Sequence, residues 1–237
     1  MVMKYRGRDV FIIAHRGGSS SFENSISSFL KAQEMGVDAV ECDIHTTRDG
    51  KLVISHDPDL MRIANIDKKI AEIDYNEISE IRLPNGERIP TLEELLEVIN
   101  IPVVIELKSR ETVLALISLF SRRKDLINKC VIISFYHDAV KIMKREIPGL
   151  MCGVLFAGFP VDPVSMARNS GCNMISLYYE GLDAEYVEKC HKEGIMVTVW
   201  APNDENDIKN SLNAGVDGIG SDRPDLVIKI IENSNVG

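Results

Sequence analysis

Short apolar runs of strand length alternate along the chain with segments whose apolar residues have helical spacing. The first run covers residues 10–14. In the segment that follows, Ile26 and Phe29 lie on one helical face. Asn24 is a candidate N-cap for this helix, and Gly36 is a candidate stop. We therefore predict that the chain begins with a strand followed by a helix.

The alternation continues in the second half of the chain. Further strands are predicted at residues 103–108, 131–135, 151–156, 174–177, 196–200 and 218–220. Helices are predicted at residues 111–122, 137–146, 163–169, 184–192, 204–213 and 224–231. Together with two strands near the start, this pattern predicts one α/β domain over residues 1–237, folded as a (β/α)8 TIM barrel. The alternative is an open doubly wound sheet, which usually carries a glycine-rich phosphate loop that this sequence lacks.

The second apolar run, residues 39–44, carries two acids at alternating positions, Glu41 and Asp43. Side chains on a strand alternate between its two faces, so both carboxylates are expected to point the same way. Two anions beside an apolar run cost free energy unless a cation or hydrogen bonds compensate them. A divalent metal with oxygen ligands is the simplest compensation. The alternative is a pair of solvated acids at a strand end.

A small insertion is predicted after the second strand, at about residues 45–90. Asp49-Gly50 has the form of a hairpin turn, and residues 52–55 are expected to return as a partner strand. This return would bring His56 back towards the acids. Residues 61–86 are charged and weakly periodic, so we expect a loop excursion there, with one helical turn at about residues 75–81.

Composition narrows the class of protein. The 237 residues carry a formal net charge of −9, which argues against a nucleic-acid-binding protein. No apolar run is long enough to span a bilayer, and the N-terminal segment lacks the apolar stretch of a signal peptide. The five cysteines are an odd number without CxxC spacing, which favours reduced thiols. We therefore expect a cytoplasmic protein without stable membrane insertion.

The uncommon polar and aromatic groups share one position, the carboxyl end of a predicted strand or its hairpin. They are His15, Arg16, Glu41, Asp43, His56, Glu106, Lys108 and Trp200. In a barrel these ends meet at one mouth, where active sites are found. Three carboxylates can hold a hard cation, two basic side chains can hold an anion, and two histidines can exchange protons. The set is suited to metal-assisted cleavage of a phosphate ester.

Short motifs along the whole chain resemble the glycerophosphodiester phosphodiesterase family. They are His15-Arg16-Gly17, Glu23-Asn24-Ser25, Glu41-Cys42-Asp43, His56-Asp57, Ile89-Pro90-Thr91-Leu92-Glu93-Glu94, Glu106-Leu107-Lys108, Ser134-Phe135, Trp200 and Ser221-Asp222-Arg223-Pro224. The resemblance implies a TIM barrel with a small insertion that hydrolyses glycerophosphodiesters to glycerol 3-phosphate and an alcohol.

The resemblance also implies roles for individual residues. The implied metal ligands are Glu41, Asp43 and Glu106, and the implied acid-base pair is His15 and His56. The implied phosphate-binding residues are Arg16 and Lys108. We expect Trp200 and Phe135 to give apolar walls to the glycerol side. An all-oxygen ligand set predicts Mg²⁺ or Ca²⁺ rather than structural zinc.

Some of these residues have simpler interpretations. In the simpler interpretation, Arg16 only pairs with an acid such as Asp57, and Lys108 only neutralises Glu106. Glu23 and Asn24 are consistent with a helix start, and Trp200 with a place in the core. Asp217 and Asp222 are consistent with turn and cap roles, and His45, His137 and His191 with solvated or packing roles.

Departures from the family pattern lie at the substrate rim. Phe22 and Ser25 replace the usual proline and threonine around the Glu-Asn pair, and residues 62–64 read Arg-Ile-Ala where Arg-Thr-Thr is usual. Four alternative functions remain open at this point: a lysophospholipase D, a phosphoinositide-cleaving relative, a different metal-dependent barrel enzyme such as an aldolase or lyase, and a non-catalytic barrel that binds phosphorylated metabolites. The expected partner is a small glycerophosphodiester, with no nucleic acid, and the sequence does not indicate an oligomeric state.

Overall fold

The apolar runs form short strands, and the segments between them form helices. The computed structural model describes residues 2–19 and 21–234. Within these residues the strands are β1 (Met3–Tyr5), β2 (Arg8–Ala14), β3 (Ala39–Thr46), β4 (Leu52–Ile54), β5 (Asp59–Leu60), β6 (Ile66–Lys69), β7 (Val103–Leu107), β8 (Cys130–Ser134), β9 (Met151–Phe156), β10 (Met174–Tyr178), β11 (Met196–Trp200) and β12 (Gly218–Ser221). The helices are α1 (Ile26–Met35), α2 (Met61–Ala64), α3 (Tyr75–Ser79), α4 (Leu92–Val98), α5 (Thr112–Arg122), α6 (His137–Glu146), α7 (Pro163–Asn169), α8 (Ala184–Lys192), α9 (Glu205–Ala214) and α10 (Pro224–Ser234).

Eight parallel strands close into a barrel in the order β2, β3, β7, β8, β9, β10, β11 and β12. Closure is made by β2, which pairs with β3 on one side and with β12 on the other. The predicted (β/α)8 barrel is therefore confirmed, and the open sheet is excluded. Parallel strands in a closed barrel end at one mouth, so every residue at a strand's carboxyl end faces the same region.

The main core lies between the barrel and its surrounding helices. Strand side chains that point outwards, such as Ile12, Val40 and Ile105, are fully buried against helical residues that include Phe29 and Phe120. Burying each such side chain contributes about 1.5–3 kcal/mol. This layer fixes the strands, and the strands in turn fix the polar groups at their ends.

The start of α1 differs from its prediction. Its N-cap is Ser25, whose hydroxyl accepts a hydrogen bond from the Ser28 N–H, whereas Asn24 lies outside the helix with φ of 56°. The left-handed conformation is one that asparagine tolerates better than most residues. The Asn24 side chain therefore does not cap the helix and instead donates a hydrogen bond to Asp43.

The segment expected to be a loop excursion is more ordered than predicted. It contains α2 and the strand β6, which pairs with β5 just before the segment, and its predicted helical turn is confirmed as α3. It also has a core of its own, formed by Val53, Leu60, Ile63, Ile70, Ile73, Ile78, Leu83 and Ile89. The elements are too short to show a strand or helix period in the sequence, but their apolar residues still meet in space. The short strand β1 was not predicted either. It pairs antiparallel with the start of β2.

Candidate active site and metal centre

Three carboxylates meet at the ends of two neighbouring strands. Glu41 and Asp43 alternate along β3, and Asp43 is the register partner of Glu106 on β7. Each of the three offers an oxygen, and these oxygens all lie within 4.8 Å of one another. Asp43 is fully buried and the other two are nearly so. Strand alternation and parallel register therefore build the acidic cluster predicted from the sequence.

The electrostatics of the cluster favour a bound cation. Burial, with the neighbouring charge of Asp43, raises the pKa of Glu41 to about 8. Burial also raises the pKa of Glu106, while Lys108 and Arg16 outweigh burial at Asp43 and lower its pKa. Two carboxylate oxygens of this cluster, Glu41 Oε1 and Asp43 Oδ1, are buried and accept no hydrogen bond from the described residues, although Lys108 Nζ lies 3.4 Å from Asp43 Oδ1. Buried carboxylate oxygens without hydrogen-bond donors fit a hard divalent metal such as Mg²⁺ or Ca²⁺.

Two basic side chains border the carboxylates. Lys108 Nζ lies 2.8 Å from Glu106 Oε1 and 3.4 Å from Asp43 Oδ1. Arg16 Nε lies 3.1 Å from Asp43 Oδ2, and its backbone N–H donates to Glu41 Oε2 at 2.9 Å. Arg16 pairs with acids other than Asp57, and Lys108 pairs with Glu106, so ion pairing accompanies any role of these two cations in binding phosphate. Both lie at the acidic cluster, where an anionic substrate would meet a bound metal.

Asn24 and Glu23 support this arrangement from the loop before α1. Asn24 Nδ2 donates to Asp43 Oδ2 at 2.9 Å, and Glu23 Oε2 lies 3.4 Å from an Arg16 guanidinium nitrogen. The adjacent Gly17 has φ of 84°, and a Cβ there would lie 2.3 Å from Ser28 Oγ. Only glycine fits this close approach of the loop to α1. The residues around Arg16 thus position the site rather than merely starting a helix.

His15 follows β2 and is held by a residue that sequence analysis assigned to a turn. Its Nδ1 lies 2.7 Å from Asp222 Oδ1, and Asn203 Nδ2 donates to Asp222 Oδ2 at 2.7 Å. An aspartate at Nδ1 fixes the ring and leaves Nε2 as the atom available to substrate. Asp222 is therefore a missed site residue. The quoted Ser221-Asp222-Arg223-Pro224 motif contained it, but its partner lies 207 residues away along the chain.

His56 follows β4 and is held in a matching way by the next residue, Asp57. Its Nδ1 lies 2.7 Å from Asp57 Oδ1, and the second oxygen of Asp57 accepts a hydrogen bond from Arg62 Nε. Both histidines are thus oriented by an aspartate through Nδ1. The second partner of that aspartate differs, because it is the neutral Asn203 at one histidine and the cationic Arg62 at the other.

The two histidines also differ in proton affinity. At His15, burial alone would lower the pKa, but the hydrogen bond with Asp222 and the charge of Glu41 raise it above the usual value. At His56, burial prevails over the hydrogen bond with Asp57, and the charge of Lys108 adds to it, so the pKa is lowered. Opposite shifts in one site are the arrangement expected of an acid-base pair.

Trp200 and Phe135 form an aromatic corner at the opposite side of the mouth. Their ring centroids are 5.7 Å apart and their planes are inclined by 87°. Phe135 is 43% exposed, and Trp200 is half-buried at the end of β11. The corner is apolar and accessible, which suits the carbon skeleton of a bound alcohol or glycerol.

One cavity of about 500 Å³ joins these groups. Its lining includes His15, Arg16, Glu41, His56, Glu106, Lys108, Phe135 and Trp200. The remaining candidate, Asp43, lies directly beneath Arg16 and Lys108. The structure therefore brings all nine candidate residues to one mouth. The other histidines lie elsewhere: His45 is buried with Nε2 against the His56 carbonyl, His137 contacts the Leu155 carbonyl, and His191 pairs with Asp217.

Residues 15–226 match the model of the glycerophosphoryl diester phosphodiesterase family. The chain belongs to this family. A glycerophosphodiester phosphodiesterase from Caldanaerobacter subterraneus subsp. tengcongensis is 31% identical, over 93% of this chain and 97% of the relative. Family membership makes the protein a phosphoric diester hydrolase, as the residues at the mouth suggested.

Solved structures of the family have the same fold. A Thermotoga maritima glycerophosphodiester phosphodiesterase is 28% identical with a TM-score of 0.80, covering 94% of this chain and 99% of its own. An Oleispira antarctica phosphodiesterase, solved in complex with the product sn-glycerol-3-phosphate, is 27% identical with a TM-score of 0.86, covering 94% and 96%. Among residues 2–19 and 21–234, no helix has both the length and the apolar character needed to cross a bilayer.

Proposed function

We propose that this protein hydrolyses glycerophosphodiesters to glycerol 3-phosphate and an alcohol at the mouth of its barrel. The observation that carries the proposal is the joint presence in one cavity of a carboxylate cluster, two cations and two aspartate-bound histidines. The product named for the Oleispira antarctica relative supports the choice of glycerol 3-phosphate. We place the site in a single domain over residues 1–237.

Glu41, Asp43 and Glu106 would hold the divalent cation, Mg²⁺ or Ca²⁺. When bound, such a metal supplies a positive charge for the non-bridging phosphate oxygens. Arg16 and Lys108 would bind the same oxygens and stabilise charge that develops there. The ion pairs of Lys108 with the acids are compatible with this role, because an ammonium group has three donors. Trp200 and Phe135 would pack against the carbon skeleton of the glycerol side.

His56 and His15 would divide the proton transfers. The lowered pKa of His56 suits it to take a proton from the nucleophile. The raised pKa of His15 suits it to donate a proton to the departing alcohol oxygen. We propose the substrate's own neighbouring glycerol hydroxyl as nucleophile, because it is already positioned next to phosphorus. A P–O bond to this hydroxyl forms as the bond to the alcohol breaks, and water then opens the cyclic phosphate with the two histidines in reversed roles.

The products of glycerophosphocholine hydrolysis test the proposed activity. We expect equal amounts of glycerol 3-phosphate and choline, measured with divalent metal present. A 2-deoxy analogue without the neighbouring hydroxyl should react much more slowly. Cleavage of this analogue at the normal rate would show that water attacks directly. Release of phosphocholine and glycerol, or preference for lysophosphatidylcholine over glycerophosphocholine, would contradict the proposed activity and substrate.

Arg16 should matter far more for catalysis than for folding. Hydrogen bonds to charged groups contribute about 1.5–3 kcal/mol, so Arg16→Ala should lower kcat/KM by about tenfold to a hundredfold. The backbone N–H bond to Glu41 remains in this variant, and divalent metal compensates the buried Asp43 carboxylate, so thermal unfolding measured with metal present should shift little. Arg123→Ala is the control, because Arg123 pairs only with nearby Asp125 in the connection from α5 to β8. Wild-type kcat/KM in Arg16→Ala would leave Arg16 with a purely structural role.

A further inference from the structure

Arg62 bridges two carboxylates that each hold a candidate site residue. Its Nε donates to Asp57 Oδ2, while Asp57 Oδ1 holds His56. Its terminal nitrogen donates to Glu23 Oε1 at 2.5 Å, while Glu23 Oε2 lies 3.4 Å from Arg16. Each carboxylate therefore uses one oxygen for a site residue and the other for Arg62.

The position of Arg62 is fixed by the insertion. Arg62 lies on α2. The next residue, Ile63, and the residue two positions before it, Leu60, are both buried in the insertion's own core. The α2 backbone is consequently anchored, whereas the Arg62 side chain is 47% exposed and fills no part of that core. An exposed ion pair contributes little to stability, typically about 0–1 kcal/mol. The contacts of Arg62 with Asp57 and Glu23 are therefore better explained by the orientation of these carboxylates than by a contribution to folding stability.

We propose that Arg62 is a positioning residue that sets both His56, through Asp57, and Arg16, through Glu23. This inference rests on the roles proposed for His56 and Arg16. A guanidinium group has a planar fork of donors that can hold two carboxylates at a fixed angle. The insertion then supplies, besides His56 itself, the group that links this proton-transfer residue to the phosphate-binding Arg16.

The charge of Arg62 also affects the proton affinity of His56. Arg62 neutralises Asp57, so the ring faces a weaker negative field than it would from a free aspartate. The other charged groups around His56 are Asp43, which favours the protonated ring, and Lys108 and Arg16, which disfavour it. His45 also contacts the His56 carbonyl. Removing Arg62 leaves these groups in place and returns the full charge of Asp57 to the ring, so the pKa of His56 should rise.

Arg62→Gln tests the inference against Arg48→Gln. Arg48 is a matched control, because it makes an exposed two-pronged pair with Asp74, at 2.8 Å for each nitrogen, and neither residue lines the cavity. We expect Arg62→Gln to lower kcat/KM by about tenfold to a hundredfold, with effects on both kcat and KM. The acidic limb of the pH profile and the NMR titration of His56 should both move to higher pH. Arg62→Lys should recover part of the loss, because an ammonium keeps the charge without the fork.

The outcomes separate this inference from the proposed function. Arg48→Gln should match wild type in kcat/KM and in the His56 titration, with any change in unfolding temperature similar to that of Arg62→Gln. If His56→Ala loses activity while Arg62→Gln keeps wild-type kinetics and an unchanged His56 titration, the inference is wrong and the proposed function stands. If His56→Ala keeps full activity, the roles beneath the inference fail with it. Should Arg62→Gln not fold, Arg62→Ala, which also removes the charge, carries the same comparison.

Discussion

Replacing His56 with alanine is expected to lower kcat by about two to four powers of ten, the usual contribution of a positioned acid or base. His15→Ala is expected to have an effect of the same size. A phosphodiester must lose an alkoxide, so a proton has to reach the leaving oxygen as another leaves the nucleophile. Each histidine is held through Nδ1 by an aspartate. In the alanine variant, bulk water cannot take the position of the missing imidazole ring in the same geometry. Steady-state kinetics on glycerophosphocholine provide the measurement.

A histidine–aspartate pair at a distance from the mouth supplies the control. His191 Nε2 lies 2.8 Å from Asp217 Oδ2, so His191→Ala also breaks a short pair, but away from the cavity. It should leave kcat unchanged. The double variant of His15 and His56 should lose less than the product of the single losses, because the two act as a unit. Full activity in either single variant would refute the acid-base pair.

The dependence of activity on pH should have an acidic limb set by His56 and an alkaline limb set by His15. His56 must be neutral to accept a proton, so activity should fall as the pH drops below its lowered pKa. His15 must be protonated to donate, so activity should fall as the pH rises above its raised pKa. Removing one histidine should flatten its own limb and leave the other in place. The reverse pattern would exchange the two assignments.

The barrel could be predicted from the sequence because each of its strands and helices is indicated by a pattern of apolar residues within a short segment. Each barrel strand is a short apolar run followed by a helical pattern, and closure then brings all the strand ends to one mouth. Glu41 and Asp43 share a face simply because they alternate on β3. The insertion was harder to predict, because its core is assembled from residues of several elements, most of them two to five residues long. Such elements do not complete a recognisable period.

The supporting residues of the site depend on contacts between distant segments. Asp222 contacts His15 from the loop after β12, Asn203 contacts Asp222 from the loop after β11, and Arg62 contacts Asp57 from the insertion. An aspartate that orients a histidine has the same local sequence as one in a turn or at a helix start. Only the folded arrangement distinguishes these roles, which is why Asp222 was assigned to a turn.

Removal of divalent metal is expected to abolish turnover, and Glu41→Gln is expected to weaken metal binding strongly. A neutral amide at this position removes one anion from a set of three whose oxygens lie within 4.8 Å. Metal that binds only the folded state stabilises it by about 2.7 kcal/mol at one hundred times the dissociation constant. Thermal unfolding of wild type should therefore move to higher temperature when Mg²⁺ or Ca²⁺ is added, and Glu41→Gln should lose most of this gain.

The same substitution should have the opposite effect on protein treated with chelator. Glu41 is buried beside Asp43 and Glu106, and without a cation this crowding of anions opposes folding. Glu41→Gln relieves the repulsion while it keeps a side chain of similar shape, so the chelated variant should unfold at the same temperature as chelated wild type or higher. Glu205→Gln is the control, because Glu205 forms an exposed pair with Lys209 and should change neither response. Full turnover in excess chelator, or an undiminished metal-dependent rise in unfolding temperature for Glu41→Gln, would exclude a metal at these carboxylates.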